Sequence, residues 1–558
     1  MAVFKTLTIP EAVSHSVSAF ASRPALGDAE GKFLTYQDLK YRIQDIRELL
    51  KTQGIIKGDR VAILSENQIN WGVAYLGITT YGAVAVPILP DFHATAIAHI
   101  LRHSESKLVL VSSRFSSKIA DVQGTVQVSL EDFKVRPAGS FIEGILHQGE
   151  TKFSHLKETA MKWMGKIKHD IAEDDLAVII YTSGTTGHSK GVMLSHKNLI
   201  FDAVKTLEMV EILPTDRFLS ILPLAHTYEC TLGLLAPMIH GACVYYLDKP
   251  PTAAALLPAL SKIKPTIMLS VPLVIEKMYK LRILPKLTGN FLMRRIYPLP
   301  VFRKLLNKAA GKKLAETFGG QLKMFCIGGA GLASDVEFFL REAGFPYCIG
   351  YGLTETAPLV TGTNPAGTKY KSAGKVLNGM QIKIHDPHPV TGEGEVWIKG
   401  NNVMRGYYRD PEKTSEVLTS DGWFKSGDLG VIDKEGYLFI KGRLKNMILG
   451  PSGENIYPEE IESILNENEW ILESLVYEEG GQLTARVFLN YEVIDIDISH
   501  RHSHSEQDSR RIVEQYLEKV KNETNARVSK FARIARLVEQ TEPFEKTPTQ
   551  KIKRYLYN

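Results

Sequence analysis

The sequence predicts an α/β protein: two doubly wound αβ subdomains and a small β subdomain form a large amino-terminal domain, and a small mobile α+β domain follows. Three observations predict it. Short apolar runs alternate with helix-length stretches through the first two thirds of the chain, glycine-punctuated runs take over from about residue 370, and a charged, mixed texture begins after Arg443. The 558 residues correspond to about three to four folding units of roughly 150 residues each.

In chain order, RVAIL (60–64), KLVLVSS (107–113) and LAVIIYTSG (176–184) read as buried strands. Between the first two, NWGVAYLGITTYGAVAV places apolar residues on a helical period and then enters another buried run. RFLSILPL, ACVYYL, TIMLSV and KMFCIGGA repeat the strand pattern, separated by helix-length stretches such as TAAALLPALSKI. GEGEVWIKG, GVIDKEGYLFIKGR and GWFKSGD then read as hairpins of the small β subdomain. A helix is expected at 508–522, ahead of a lysine-rich end. The domain boundary is placed at 442–446, dividing residues 1–442 from 443–558.

Composition narrows the function classes. The chain is 44% hydrophobic and 23% charged, and its 67 basic against 62 acidic residues leave a net charge of only +5, which excludes a polyionic tail and a disordered chain. No nucleic-acid partner is expected. Cys230, Cys243, Cys326 and Cys348 share no ligand spacing and read as buried free thiols of a reducing compartment. Pro10 and Glu11 interrupt the start before a signal-peptide core develops, and no uncharged stretch of membrane-spanning length follows, so a cytoplasmic protein, peripheral to a membrane at most, is expected. The last residues, YLYN, match no lipidation signal.

The most informative string is YTSGTTGHSKG (181–191), directly after the apolar run LAVII. Small residues let backbone N–H groups converge on phosphate oxygens, Ser183, Thr185 and Thr186 add hydroxyl donors, and Lys190 adds charge. A flexible linker is the competing reading. A P-loop requires Lys followed by Ser or Thr, whereas Lys190 is followed by Gly191. Gly187, Ser189 and Gly191 do spell the G-x-S-x-G of an esterase elbow, but six polar or glycine residues separate that motif from the strand that an elbow follows directly. In IGGAGLAS (327–334), Ser334 stands where a dinucleotide-binding loop needs its third glycine.

YTSGTTGHSKGVMLSH (181–196), LPLAHTYE (222–229), IGGAGL (327–332), GYGLTET (350–356), GEGEVWIKG (392–400), GWFKSGDLG (422–430), GRLKNMI followed by GENIYPEEIE (442–462) and KTPTQKIKR (546–554) occur in order along nearly the whole chain. Together they closely resemble the adenylate-forming superfamily of acyl-CoA synthetases, acyl- and aryl-adenylating ligases and luciferases. LPLAHTYE, KPTIMLSVPLVIEKMY and KTPTQKIKR look most like long-chain fatty-acid–CoA ligases. The resemblance implies conversion of a medium- to long-chain fatty acid to an acyl adenylate with Mg²⁺ and ATP, then transfer to CoA with release of AMP and pyrophosphate. Transfer to a carrier-protein phosphopantetheine is the alternative acceptor, and a G-x-S-x-G esterase the alternative class.

By the same resemblance, Lys551 is the cation that brings carboxylate and α-phosphate together, although Gln550 stands where the family usually has Gly. Glu355 holds Mg²⁺ and Thr354 bonds the α-phosphate. Thr182, Ser183, Gly184, Thr185, Thr186, Gly187 and Lys190 cradle the phosphates, and Gly329, Ala330, Tyr351 and Gly352 line the nucleotide, with Tyr351 packing on adenine. Asp428, expected in the KSGDLG turn, accepts from the ribose hydroxyls, and Arg443 holds ribose or phosphate. His226 and Tyr228 flank the acyl pocket, and Lys445 is the hinge about which the small domain turns. Read singly, these residues have ordinary alternatives: Glu355 as a helix-start acid, Asp428 as a turn acid, Lys551 as a solvated tail lysine, and His226 and Tyr228 as core aromatics.

Two segments lie outside the motifs. Lys277 to Lys313 holds eleven Lys or Arg and no acid, interleaved with Tyr279, Phe291, Tyr297 and Phe302. This pattern suits anionic lipid, nucleotide or CoA phosphates, or a solvated helix face, and it supports peripheral membrane contact. His500, His502 and His504, in SHRHSHSEQD, read as an exposed polar loop, and no metal is assigned there.

Overall fold

The computed structural model describes residues 4–136, 170–182, 189–450, 454–468, 470–491, 494, 506–547 and 551–557. Two seven-stranded sheets dominate. One runs in the spatial order Tyr347–Ile349, Met324–Ile327, Ile267–Ser270, Arg217–Ser220, Cys243–Tyr246, Pro24–Asp28 and Phe33–Thr35, parallel throughout except for the final hairpin. The other runs Gly406–Tyr407, Lys190–Ser195, Leu176–Thr182, Val84–Ile88, Arg60–Leu64, Leu108–Val111 and Val126–Ser129. Its last five strands are parallel, and its first two add antiparallel.

The predicted apolar runs are these parallel strands, and their burial on both faces explains why they read as continuous rather than alternating. Their assignment to sheets is less sequential than expected, because Pro24–Asp28 crosses into the sheet built mainly from residues 217–349. Helix Ile69–Tyr81 also departs from expectation. It has no polar face: every residue from Trp71 to Tyr81 is buried, as for a helix enclosed on all sides. Gly77 permits the close approach of helix Tyr36–Thr52, since a Cβ there would overlap Ile46.

The expected small β subdomain is a four-stranded antiparallel sheet of Met380–His385, Gly394–Gly400, Phe424–Ile432 and Leu438–Arg443. Beyond it, Ile471–Glu479, Gln482–Leu489 and Arg536–Gln540 form a three-stranded sheet. Helices Pro458–Leu465 and Glu506–Arg527 accompany it, and residues from Ile456 to Ile534 form a hydrophobic cluster of their own. The helix expected at 508–522 is thus present and longer. All four cysteines are free and buried. Among the described residues no helix is long and apolar enough to cross a membrane. His500, His502 and His504 lie outside the described residues.

Candidate active site

Arg217–Ser220, Ile267–Ser270, Met324–Ile327 and Tyr347–Ile349 run parallel, so their carboxyl ends open on one edge of the sheet. The chain leaving them supplies His226, Val271, Gly329 and Tyr351. Such an edge is where open α/β sheets take ligands.

Tyr351 Oη donates to Asp428 Oδ2 at 2.7 Å, and Arg443 Nε meets Asp428 Oδ1 at 2.7 Å. The acid is therefore held at both oxygens and is only 3% exposed. Burial raises its carboxyl pKa, opposed by Arg443, the Tyr351 hydroxyl and Lys551. Asp428 does not occupy a turn, as expected from KSGDLG. It lies inside strand Phe424–Ile432, directly opposite Arg443, because the glycines are spent on a local kink at Gly427 (φ +68°) and a register shift at Gly430.

Glu355 and Thr354 belong to a single 3₁₀ turn, Thr354–Thr356, rather than to the start of an α-helix. Gly352, just before it, is required because a Cβ would overlap the Pro358 carbonyl. Asn402 Nδ2 braces the same loop by donating to the carbonyls of Thr356 and Leu359, both at 2.9 Å. Glu355 Oε1 accepts from Tyr407 Oη at 2.9 Å, and the Lys190 ammonium stands 4.9 Å from the Tyr407 ring centre. Tyr407 and Asn402 escaped the sequence reading. Tyr407 reaches Glu355 because Gly406–Tyr407 adds as an edge strand to Lys190–Ser195, a pairing with no local signature.

The carboxy-terminal segment closes the arrangement. Lys551 is exposed to solvent in the open cleft and interacts with Arg443, Asp428 and Glu355. Enclosure by the surrounding protein lowers its pKa first, and Arg443 adds to this, while the two carboxylates act in the opposite direction. Lys445 sits in the turn Leu444–Asn446. Enclosure, Lys190 and Arg443 lower its pKa, and Glu355 raises it. Lys190, Arg443, Lys445 and Lys551 thus converge on Glu355 and Asp428. A cleft with that excess of cations suits a polyanion carrying hydroxyl donors.

His226 borders the same space: enclosure, then the charge of Lys551, holds its imidazole at about 4. Tyr228 Oη donates to the Cys326 carbonyl at 3.0 Å, and its ring lies 3.2 Å from where a Cβ on Gly328 would stand. Gly329 (φ +87°) and Ala330 follow on an exposed turn. Next to His226 and Tyr228, Glu229 is 1% exposed and burial pushes its carboxyl up to about 8, against a hydrogen bond from Ser220. The acidic position in LPLAHTYE was its only sequence signal.

Thr182 and Lys190 are register partners at the mouth of the glycine-rich loop, which joins two antiparallel strands. That topology disagrees with both a P-loop and an esterase elbow, each of which leads from strand to helix. Ser183, Gly184, Thr185, Thr186 and Gly187 lie outside the described residues. Among the described residues no group of three or more His, Cys, Asp or Glu is placed to hold a metal by itself.

The profile of the AMP-binding enzyme family matches residues 13–408. The chain belongs to this family. Among curated relatives of this AMP-binding enzyme, the long-chain-fatty-acid–CoA ligase heimdall of Drosophila melanogaster is 30% identical over 511 residues, covering 82% of this chain and 72% of the relative. The chloroplastic long-chain-fatty-acid–[acyl-carrier-protein] ligase AEE15 of Arabidopsis thaliana is 29% identical over 541 residues, covering 81% and 72%. A crystal structure of the ATP-bound RpMatB-BxBclM chimera B1 superposes with a TM-score of 0.76 at 25% identity, covering 99% of this chain and 98% of the other. The AMP-binding enzyme is thus an adenylate-forming protein of the acyl-CoA ligase type.

Proposed function

We propose that the protein activates a medium- to long-chain fatty acid in two steps, with Mg²⁺-ATP and CoA as co-substrates. First the carboxylate oxygen attacks the α-phosphorus, the bond from that phosphorus to the α,β-bridging oxygen breaks, and pyrophosphate leaves. Then the CoA sulfur attacks the acyl carbonyl carbon, the thiol proton is lost, and AMP leaves. The observation that carries this reading is the convergence of Lys551 with Glu355, Asp428 and Arg443 in one cleft. The long-chain specificity draws its support from relatives such as heimdall.

In this reading Lys551 offsets the repulsion between two anions in the first step. Asp428, fixed by Tyr351 and Arg443, accepts from the ribose hydroxyls, while Thr354, Thr182 and Lys190 face the phosphates. Residues 183–187, Gly329, Ala330 and Gly352 complete the nucleotide cradle. His226 and Tyr228 line the acyl entrance. A lone carboxylate beside phosphate oxygens fits Mg²⁺, which takes few protein ligands, so Glu355 would hold it and the ion would neutralise phosphate charge. The carboxy-terminal domain would turn about Lys445, within the boundary at 442–446, to withdraw Lys551 and admit the thiol. Buried free thiols support a cytoplasmic location.

The test is the thioester product made from straight-chain acids between acetate and oleate, offered with CoA or with a phosphopantetheinylated carrier protein. CoA thioesters rising with chain length support the reading. Transfer to the carrier protein alone would move the acceptor to the class of the AEE15 relative.

A further inference from the structure

Residues 277–313 form a surface that the cleft does not use. The segment comprises helices Leu284–Thr288, Phe291–Ile296 and Pro300–Thr317, preceded by the turn Tyr279–Ile283. Nine of its eleven cations are exposed. The two that are not are satisfied within the protein: Arg303 pairs with Glu342 at 3.0 Å, and Lys280 donates to the Asn466 carbonyl. The inner face of helix Pro300–Thr317 is fixed by Asn307, which donates to Glu342 at 2.8 Å, and by Gly311 against Ala343. Lys304, Lys308 and Lys312 recur every four residues and form an exposed stripe.

A solvated charged face would carry only polar neighbours. Here seven large apolar side chains between Leu281 and Leu305 are also exposed, including Phe291 at 74% and Val301 at 72%. Such a patch marks an interaction surface. An apolar tip flanked by cations, with no acid within the segment, matches a bilayer whose surface is anionic and whose interior accepts phenyl and alkyl groups.

We infer that residues 277–313 dock the protein on anionic lipid bilayers, with Phe291, Leu292, Val301 and Phe302 entering the headgroup boundary and Lys304, Lys308 and Lys312 meeting lipid phosphates. The surface adjoins the cleft: Val271 is the nearest neighbour, at 3.7 Å, of a Cβ built on Gly329, and helix Pro272–Met278 leads from there into the patch. Docking would bring the proposed acyl site to the phase in which long-chain acids are dissolved. The surface itself stands on residues outside the nucleotide site, so docking and adenylation fail independently.

The experiment is sedimentation of the full chain with vesicles of phosphatidylcholine, or of phosphatidylcholine with phosphatidylglycerol, without ATP, acid or CoA. The protein is expected to pellet with the anionic vesicles only and to be released by salt. Replacing Lys304, Lys308 and Lys312 together by Gln should weaken partition about a hundredfold, at about fivefold per cation. Phe291→Ser with Phe302→Ser should weaken it as well, while both variants keep the wild-type unfolding temperature. Equal binding to neutral vesicles, no pelleting, or binding indifferent to salt and to both variants would overturn the inference. Lysine-dependent capture of duplex DNA without vesicle binding would also overturn it.

Discussion

Arg443 Nε lies 2.7 Å from Asp428 Oδ1, and the two residues are register partners across the last strand pair of the four-stranded sheet. Arg443 is also the final residue of its strand, so the turn Leu444–Asn446 begins where the ion pair ends. A rotation about Lys445 would therefore leave the Asp428–Arg443 pair with the large domain and carry away Lys551. Lys445→Pro fixes one backbone angle of that turn. Its expected outcome is selective loss of one half-reaction, measured as pyrophosphate exchange against thioester formation from supplied acyl adenylate. Unchanged rates of both would remove Lys445 from the pivot.

Lys551→Ala should lower adenylation by about 10²–10³-fold, the usual cost of losing a preorganised group at developing charge. Thioester formation from supplied acyl adenylate should fall far less. Equal loss of both steps would contradict the division of labour assigned to the two domain positions.

Tyr407→Phe deletes the hydroxyl that holds Glu355 Oε1 and leaves the ring beside Lys190 in place. Adenylation should fall by about fivefold, in line with one hydrogen bond of about 1 kcal/mol, and the Mg²⁺ concentration for half-maximal rate should rise. A loss of rate with no change in Mg²⁺ dependence would show that Tyr407 does not act through Glu355.

Glu229 titrates at about 8 in the folded protein because burial disfavours its charge. Its folded pKa lies above that of an unfolded glutamate, so the stability it contributes is complete below about pH 4.3 and is lost as pH rises toward 8. Glu229→Gln cannot ionise and should gain stability over wild type on the order of 5 kcal/mol at pH 9 relative to pH 4. Parallel unfolding curves for the two proteins across that range would contradict the burial account.

Much of the fold was legible because its parallel strands are buried on both faces and read as unbroken apolar runs. Helix Ile69–Tyr81 was legible as a helix but not as an enclosed one, since the residues packed against it, such as Leu26 and Tyr246 at Gly72 and Ile46 at Gly77, come from other segments of the chain. The same distance hid Tyr407. Its bond to Glu355 spans 52 residues and exists only because Gly406 pairs with Met193. Asp428 was recognisable by type and misplaced in structure, because glycines flanking an acid signal a turn even where they kink a strand. Lys551 had no local mark distinguishing it from the other tail lysines. The order of motifs along the chain singled it out, and the cleft brings it to Asp428 and Glu355.

The central claim is that a fatty acid is adenylated in this cleft, and acid-dependent exchange of labelled pyrophosphate into ATP without CoA tests it most directly. Palmitate and oleate should support exchange, acetate should not, and Lys551→Ala should lower it by about 10²–10³-fold. Absence of exchange with any straight-chain acid, or exchange that ignores Lys551, would contradict the account.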